Sequence, residues 1–341
     1  MLTTGLLERV LAVLAQSFRD LDPPFVLVLV VLGLLAIAFA VGKFLKRQPE
    51  GAVNPAVVQT FNSRVRAWWM MCTILAAAFV FGRETTVVLF FLVSFWALRE
   101  FITLTPTRLG DHRALFWVFF VFTPLQYVFV GLGIEYYGFY SIIIPVYAFL
   151  FIFARVALSG DYKRFLERTA KIQAGLLVCV YSLSYAPALL DLPLHTSESP
   201  DEPWSGSRSG LLFYFILIAQ LGDVLQFVWD KLVGRRVIAP SINASKTWSG
   251  LFGGVTSTML LGALFWWATP FDPLQSACMS LVIAVMGFAG SMTLSAIKRD
   301  RGVKDYGTLV EGHAGVLDRI DSICFAAPVF FHLTRYFFHL R

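Results

Sequence analysis

The sequence predicts an all-α, polytopic membrane protein with about ten transmembrane helices and a polar site that faces the cytoplasm. Of its 341 residues, 57% are hydrophobic and only 15% are charged, whereas a soluble domain carries about 25% charged residues. The apolar residues form runs of about 20, the length that an α-helix needs to cross a bilayer. Two of the segments between these runs hold charges of both signs. We expect them to line a wet cavity or a water-facing edge, because an unsolvated charge in a membrane is costly.

The first 20 residues predict an amphipathic helix that lies in the membrane interface. Apolar side chains recur on one helical stripe between Leu2 and Phe18, whereas Glu8 and Arg9 lie off that stripe. These two charges also argue against a secretory signal peptide, because the centre of such a peptide is apolar and uncharged.

After this helix we expect N-terminal transmembrane helices over residues 25–190 and a C-terminal catalytic transmembrane region over residues 210–341. Each apolar run in the two regions predicts one span. The predicted spans are residues 25–45, 66–82, 85–104, 114–133, 136–156, 172–190, 210–232, 249–268, 274–296 and 321–339.

The basic residues indicate how these spans are oriented. With ten spans, 22 of the 28 lysines and arginines fall on one side of the membrane, and the positive-inside rule makes that side cytoplasmic. We therefore expect a multi-pass protein of the inner, cytoplasmic membrane with its active site on the cytoplasmic side. The longest loop on the other side, residues 191–209, is acidic and rich in proline and serine. This composition predicts a solvated, flexible loop.

The net charge of +6 does not indicate a nucleic-acid partner, because the basic residues cluster at the ends of spans. Charges at these positions meet anionic membrane lipids and nucleotide phosphates. We therefore expect lipid and nucleotide partners and no nucleic acid.

One acidic residue, Glu100, lies at the inner end of the third predicted span, directly after Arg99. We expect these two side chains to pair and to extend towards the interface.

The densest mixture of charges lies in residues 291–321, between two apolar runs. Asp318 and Asp321 are three residues apart and therefore share one face of a helix. Two carboxylates on one face repel each other unless a cation lies between them, and hard oxygen ligands suit Mg²⁺. Basic residues that could neutralise phosphate oxygens lie upstream, at Lys298, Arg299 and Lys304. The segment predicts a site for phosphate chemistry, the alternative being a basic loop that only orients the protein.

A second polar segment covers residues 221–254. Asp223 lies inside an apolar span, and a charge at such a position is functional by default. Gln226 and Asp230 follow at i+3 and i+7, so the three side chains form one polar stripe. The alternative is a polar contact between two helices. Further polar residues and glycines follow this stripe, at Lys246, Thr247, Gly250, Gly253 and Gly254.

Together the two segments resemble the signature of the phosphatidate cytidylyltransferases, or CDP-diacylglycerol synthases. The resemblance covers roughly residues 210–340. Its matching residues are Gly222-Asp223, Lys246-Thr247, Gly250, Gly253-Gly254, Ser295, Lys298-Arg299, Lys304-Asp305, Gly312-His313, Gly315, Asp318-Arg319 and Asp321. The sequence departs from the usual pattern at Ser249, Glu311 and Ala314, which leaves a variant substrate open.

The resemblance implies that CTP and phosphatidic acid react to CDP-diacylglycerol and pyrophosphate. It implies Mg²⁺ as the cofactor, alone or with a second cation, and a homodimer. It implies catalytic roles for Asp223, Lys298, Lys304, Asp305, His313, Asp318 and Asp321, of which Asp223, Asp318 and Asp321 hold the metal. It also implies that the substrates are bound by Lys246, Thr247, Ser291, Ser295, Arg299 and Arg319. Ser291 and Ser295 precede Lys298 at helical spacing, so they line one face of the ninth span, where a lipid headgroup could enter.

Two other functions compete with this reading. A CTP-dependent kinase of a polyprenol-type lipid shares the membrane setting but releases CDP rather than pyrophosphate. A transporter with Asp223 as its coupling carboxylate needs polar groups spread through several spans. The second to sixth spans hold almost no acidic residues, which disfavours a transporter.

Overall fold

The computed structural model describes most of the chain from residue 72 onwards. The described residues are 32–33, 36, 39–40, 43–44, 69–70, 72–105, 107–197, 199–303, 306 and 315–340. The amphipathic helix predicted for residues 1–20 and most of the span predicted at 25–45 lie outside them. The chain forms two compact units, Met1–Gly82 and Arg83–Arg341. In the first unit the structure has helix α1, Cys72–Phe81.

The second unit consists almost entirely of helices. Its elements are α2 (Arg83–Leu104), α3 (Leu109–Leu132), α4 (Ile134–Ala157), α5 (Phe165–Asp191), α6 (Arg208–Leu232), β1 (Val237–Ala239), β2 (Asn243–Thr247), α7 (Trp248–Leu264), α8 (Pro273–Asp300) and α9 (Leu317–Phe338).

Six helices of the described part are long and apolar enough to cross a membrane, namely α2 to α6 and α8. Helix α7 is apolar but has only 17 residues, and α9 carries three charges near its start. The prediction of a helical, multi-pass membrane protein is therefore confirmed. The count of about ten spans and the division at residues 25–190 and 210–341 stay predictions.

The all-α prediction misses one element, the antiparallel hairpin of β1 and β2. Val237 pairs with Thr247, and Ala239 pairs with Asn243. The β-branched pair Val237-Ile238 favours a strand, and Pro240-Ser241 favours the turn that follows. The hairpin joins α6 to α7 and carries two of the predicted site residues.

Local capping explains where the helices of the C-terminal half begin. Ser207 accepts a hydrogen bond from Gly210 N at the start of α6. At the start of α8, Asp272 and Gln275 form a capping box, in which Gln275 N donates to Asp272 Oδ1 at 2.8 Å. Pro273 occupies the first helical position, where the missing N–H has no intrahelical partner to lose.

Helices α6 to α9 approach each other through small residues. A Cβ atom on Gly254 of α7 would lie 2.7 Å from Gln226 Cα of α6. A Cβ atom on Gly262 of α7 would lie 1.8 Å from Ser280 Oγ of α8, and one on Gly290 of α8 would lie 2.4 Å from Asp321 O of α9. Such close backbone contacts are typical of helices that pack within a membrane. They bring the polar side chains of four helices to one place.

The loop after α5 is more tightly bound than its composition predicts. Leu192 and Leu194 are buried, Trp204 N donates to Leu194 O at 2.7 Å, and Leu340 N donates to Pro193 O at 2.9 Å. The described part of residues 191–209 is thus fixed against the end of α9, so the prediction of a flexible loop is wrong. Asp201 and Glu202 are exposed, whereas Leu192 and Leu194 are core residues.

Before α5, a cluster of ion pairs joins the loops on either side of α3 and α4. Arg168, only 4% exposed, donates to both carboxylate oxygens of Asp111. Arg108 donates to Asp161 at 2.7 Å, and this hydrogen bond holds the pKa of the Asp161 carboxyl below its ordinary value. The charged residues at 161–171 thus form the loop before α5 and its first turns.

Candidate active site

The predicted site residues that the structure describes come from four elements. Helix α6 carries the polar stripe, β2 carries two residues, and α8 and α9 carry the rest. In chain order they are Asp223, Lys246, Thr247, Ser291, Ser295, Lys298, Arg299, Asp318, Arg319 and Asp321. Lys304, Asp305 and His313 lie outside the described residues, so their catalytic roles stay predictions.

Two residues of the polar stripe of α6, Gln226 and Asp230, contact the hairpin. Lys246 Nζ donates to Gln226 Oε1. Asp230 Oδ1 accepts from the backbone N of Thr247 at 2.8 Å and from its Oγ1 at 2.7 Å. Thr247 Oγ1 in turn accepts from Gly250 N at 3.0 Å and caps α7. These contacts fix Lys246 beside α6 and use Thr247 to start a helix.

Asp318 has both carboxylate oxygens engaged by the protein. Its Oδ1 accepts from Lys298 Nζ at 2.6 Å, and its Oδ2 accepts from Tyr306 N at 2.8 Å and Gly315 N at 3.2 Å. The side chains of Lys298 and Asp318 are 16% and 7% exposed. Asp318 therefore orients a lysine and holds the chain at residues 306 and 315, whereas the sequence predicts a metal ligand.

Asp321 and Asp223 form the other acidic part of the site. Their carboxyl groups are close enough to interact electrostatically with each other and with the ammonium group of Lys246. Neither carboxylate has a described lysine or arginine within ion-pair distance. Among the described residues, Asp321 Oδ1 accepts from the neighbouring Ser322 N alone, at 2.8 Å. Two facing carboxylates in largely buried surroundings repel each other unless a cation compensates them.

The surroundings of this pair suit a small hard cation. Ser322 Oγ is buried beside the Asp223 carboxyl and makes no hydrogen bond of normal geometry to the described residues. A small cavity, with room for about one water molecule, lies beside Asp223 and Gln226. Carboxylate and hydroxyl oxygens are the ligands that Mg²⁺ prefers. The described residues nevertheless contain no group of three histidine, cysteine or acidic side chains placed to hold a metal. Metal binding by Asp223, Asp318 and Asp321 stays a prediction.

The remaining predicted residues of α8 contact the hairpin. Arg299 Nε donates to Ile242 O at 3.1 Å. Ser295 is 7% exposed, and its Oγ accepts from Asn243 Nδ2 at 3.4 Å. Ser291 lies one turn earlier on the same face and is partly buried. These contacts place the end of α8 against the hairpin turn and the first residue of β2.

Arg319 lies between the two aspartates of α9. Its backbone carbonyl accepts from Gln220 Nε2 of α6 at 3.1 Å. This bond ties the first turn of α9 to α6, three residues before Asp223. The predicted role of the Arg319 side chain in substrate binding stays a prediction.

Sequence reasoning missed the role of Glu100. This residue of α2 is only 4% exposed. Its Oε1 accepts from Val316 N at 3.0 Å, and its Oε2 accepts from Leu317 N at 2.9 Å. The prediction that Glu100 pairs with Arg99 is wrong, because successive residues of a helix point about 100° apart. Arg99 lies over the ring of Trp96 instead.

Tyr306 is the second residue that the sequence did not single out. It is 4% exposed, its hydroxyl donates to Leu294 O at 3.0 Å, and its ring stacks on Phe101 of α2. Lys298 Nζ lies 5.5 Å from the centre of the same ring. In the sequence, Tyr306 differs from its neighbours as an aromatic residue within a run of charged residues, and this difference could have drawn attention to it.

The sequence also matches that of known proteins. Residues 62–337 match the sequence model of the cytidylyltransferase family. The chain belongs to the cytidylyltransferase family. Membership confirms the resemblance drawn from the two polar segments and makes the protein a nucleotidyltransferase.

Relatives within the cytidylyltransferase family differ in how much of this chain they match. The uncharacterized protein YnbB of Escherichia coli is 35% identical over 309 residues, which cover 89% of this chain and 95% of YnbB. The phosphatidate cytidylyltransferase of Synechocystis is 35% identical over 153 residues, or 43% of this chain and 51% of the relative. That of Rickettsia bellii is 27% identical over 168 residues, or 47% and 70%. The chain thus spans about half the length of the Synechocystis protein.

The departure from the family signature at Ser249 has a structural setting. Ser249 Oγ donates to Val233 O at 3.1 Å and lies 3.1 Å from Thr247 Oγ1. These contacts of the short side chain tie the start of α7 to the residue that follows α6. In this cytidylyltransferase, Ser249 therefore supports the cap of α7 in a place where a longer acid is usual.

Proposed function

We propose that this cytidylyltransferase is a phosphatidate cytidylyltransferase, which converts CTP and phosphatidic acid into CDP-diacylglycerol and pyrophosphate in phospholipid synthesis. The observation that carries the proposal is the proximity of the Asp223 and Asp321 carboxyl groups, which interact electrostatically with each other and with nearby lysines, Lys246 with both and Lys298 with Asp321. Opposite charges from four elements suit a reaction between two anions. The printed names of relatives that match about half of this chain support the lipid substrate.

In this reaction an oxygen of the lipid phosphate bonds to the α-phosphorus of CTP. The bond from that phosphorus to the bridging oxygen breaks, and pyrophosphate leaves. Such transfers depend mainly on positioning and on neutralising charge. The attacking oxygen already carries a negative charge, so no general base is required. Lys246 and Lys298 would hold phosphate oxygens, and their partners Gln226 and Asp318 would orient them.

Asp223 and Asp321 would bind the Mg²⁺, and Ser322 would offer a further oxygen ligand. Asp318 would lie one turn away on α9. The bound cation would neutralise phosphate charge and align the reacting groups. The close contact of Gly254 with α6 would exclude bulk water from the side next to Asp223. We place the site at the cytoplasmic side of the inner membrane, where CTP is available and the lipid enters from the bilayer.

The test is the identity of the products. The purified full-length protein would be incubated in phosphatidate-containing vesicles with Mg²⁺ and CTP labelled on either the α- or the γ-phosphate. We expect label from the α-phosphate in CDP-diacylglycerol, with one pyrophosphate per lipid formed. Transfer of the γ-label to lipid with release of CDP would instead identify a CTP-dependent lipid kinase. No product from phosphatidate, but product from another lipid phosphate, would show a variant substrate.

A further inference from the structure

The carboxylate of Glu100 reaches across the fold to the start of the helix that carries two of the site aspartates. Glu100 lies in α2 and accepts hydrogen bonds from the amides of Val316 and Leu317, 216 and 217 residues further along the chain. Both bonds have ordinary lengths, at 3.0 and 2.9 Å, and the side chain is almost fully buried. A buried acid with two long-range backbone partners is not a snorkelling side chain.

Within the described part of the chain, no local side chain caps helix α9 in place of this contact. Val316 precedes the helix and gives it no side-chain cap. The first amides of any helix have no intrahelical partner, and an anion near them is favoured by the helix dipole. Glu100 satisfies two of these amides and places a negative charge at that end. It therefore acts as a cap supplied by another helix.

A second contact from the same part of α2 supports the same region. Phe101, next to Glu100, stacks on Tyr306 with ring centres 6.4 Å apart and the rings 16° from parallel. The backbone N of Tyr306 donates to Asp318. The end of α2 thus holds the chain at residue 306 and again at residues 316 and 317, at two places within the charged segment 291–321.

We propose that Glu100 is a positioning residue, which fixes the first turn of α9 and thereby sets Asp318 and Asp321 against Lys298 and Asp223. Asp318 is the second residue of α9 and Asp321 the fifth. If the first turn frays, Asp318 loses its orientation first, and Asp321 follows. The role given to these aspartates rests on the proposed function, whereas the capping of α9 does not.

The experiment compares Glu100→Gln with Glu84→Gln in the full-length protein. Glu84 is an exposed acid at the other end of the same helix, so its variant controls for charge loss on α2. Glutamine keeps the size of the side chain but offers one oxygen and no charge to the two amides. Hydrogen exchange of peptides that cover residues 315–322 measures the cap directly, and steady-state kinetics measures its effect on transfer.

We expect faster exchange at the start of α9 in Glu100→Gln, and wild-type exchange in α6 and in the Glu84→Gln control. We expect kcat to fall about 10- to 100-fold, as is typical when a group that orients catalytic ligands is lost, with a higher Mg²⁺ requirement and little change in KM for CTP. Glu100→Asp, which keeps the charge on a shorter arm, should recover part of kcat.

Wild-type exchange at the start of α9 would overturn the proposal, and so would an unchanged kcat beside faster exchange. Faster exchange across all helices would also overturn it, because Glu100 would then be a general stabiliser. A wild-type protein that does not use phosphatidate would count against the proposed function, and the exchange measurement would still decide the role of Glu100.

Discussion

At the scale of single residues, Asp318 and Asp321 show what the spacing of residues in a sequence can predict and what it cannot. Their separation predicts a shared helical face, and both indeed lie in the first turns of α9. Spacing does not show that the oxygens of Asp318 are engaged by Lys298 and by two backbone amides. Those partners lie 3 to 20 residues away and meet Asp318 only in the folded chain. The sequence therefore finds the acids of the site and not the division of roles between them.

This difference predicts unequal effects for the two aspartates. Asp321→Asn removes a charge from the pair with Asp223 and should abolish Mg²⁺-dependent release of pyrophosphate, with little change in thermal stability. Asp318→Asn leaves Lys298 without its carboxylate and should lower both activity and stability, the latter by about 1–3 kcal/mol. Pyrophosphate release across a range of Mg²⁺ concentrations and thermal unfolding of both variants provide the measurement. Normal turnover by Asp321→Asn would remove the metal assignment.

At the scale of elements, the glycines of the motif serve helix packing. The signature glycines Gly250, Gly253 and Gly254 let α7 lie directly on α6, where Trp229, Gln226 and Asp230 would collide with any Cβ atom. Sequence reasoning found these glycines through the family signature, but their contact surface depends on which helix lies opposite. The same limit explains Glu100, because nothing near it in the sequence indicates the amides that it binds.

Gly250→Ala is expected to disrupt the start of α7. The new Cβ atom would lie 1.8 Å from Asp230 Oδ1, the oxygen that binds Thr247. The helix would have to move away from α6, and Lys246 would move with it. We expect loss of most activity and a lower unfolding temperature. Gly138→Ala is the matched control, since a Cβ atom there meets nothing within 4 Å and alanine favours a helix by up to about 1 kcal/mol.

At the scale of the whole molecule, hydrophobic runs and basic residues carry most of the prediction. The six membrane-length helices of the described residues coincide with predicted spans, with ends that differ by several residues. The hairpin and the bound loop after α5 escaped prediction, because short strands and buried loop leucines leave no periodic signal. The side of the membrane on which the site lies follows only from the distribution of lysine and arginine.

Labelling of introduced cysteines tests this orientation. Ser241 lies exposed in the turn of the hairpin, and Ser205 lies exposed in the loop after α5. In intact cells, a membrane-impermeant maleimide should label Ser205→Cys and not Ser241→Cys, and in inverted vesicles the preference should reverse. The wild-type protein gives the background from its own four cysteines. Labelling of both positions from the same side would contradict the predicted topology.

The bond between Glu100 and the amides of Val316 and Leu317 also constrains how such proteins can be recombined. The signature motifs all lie after residue 220. Glu100, which supports the start of α9, nevertheless lies 216 residues before Val316. A hybrid with its breakpoint between α5 and α6 would inherit every motif and still need the acid of α2 from a compatible parent. Swapping halves between relatives should therefore succeed only where both parents place an acid opposite that helix start.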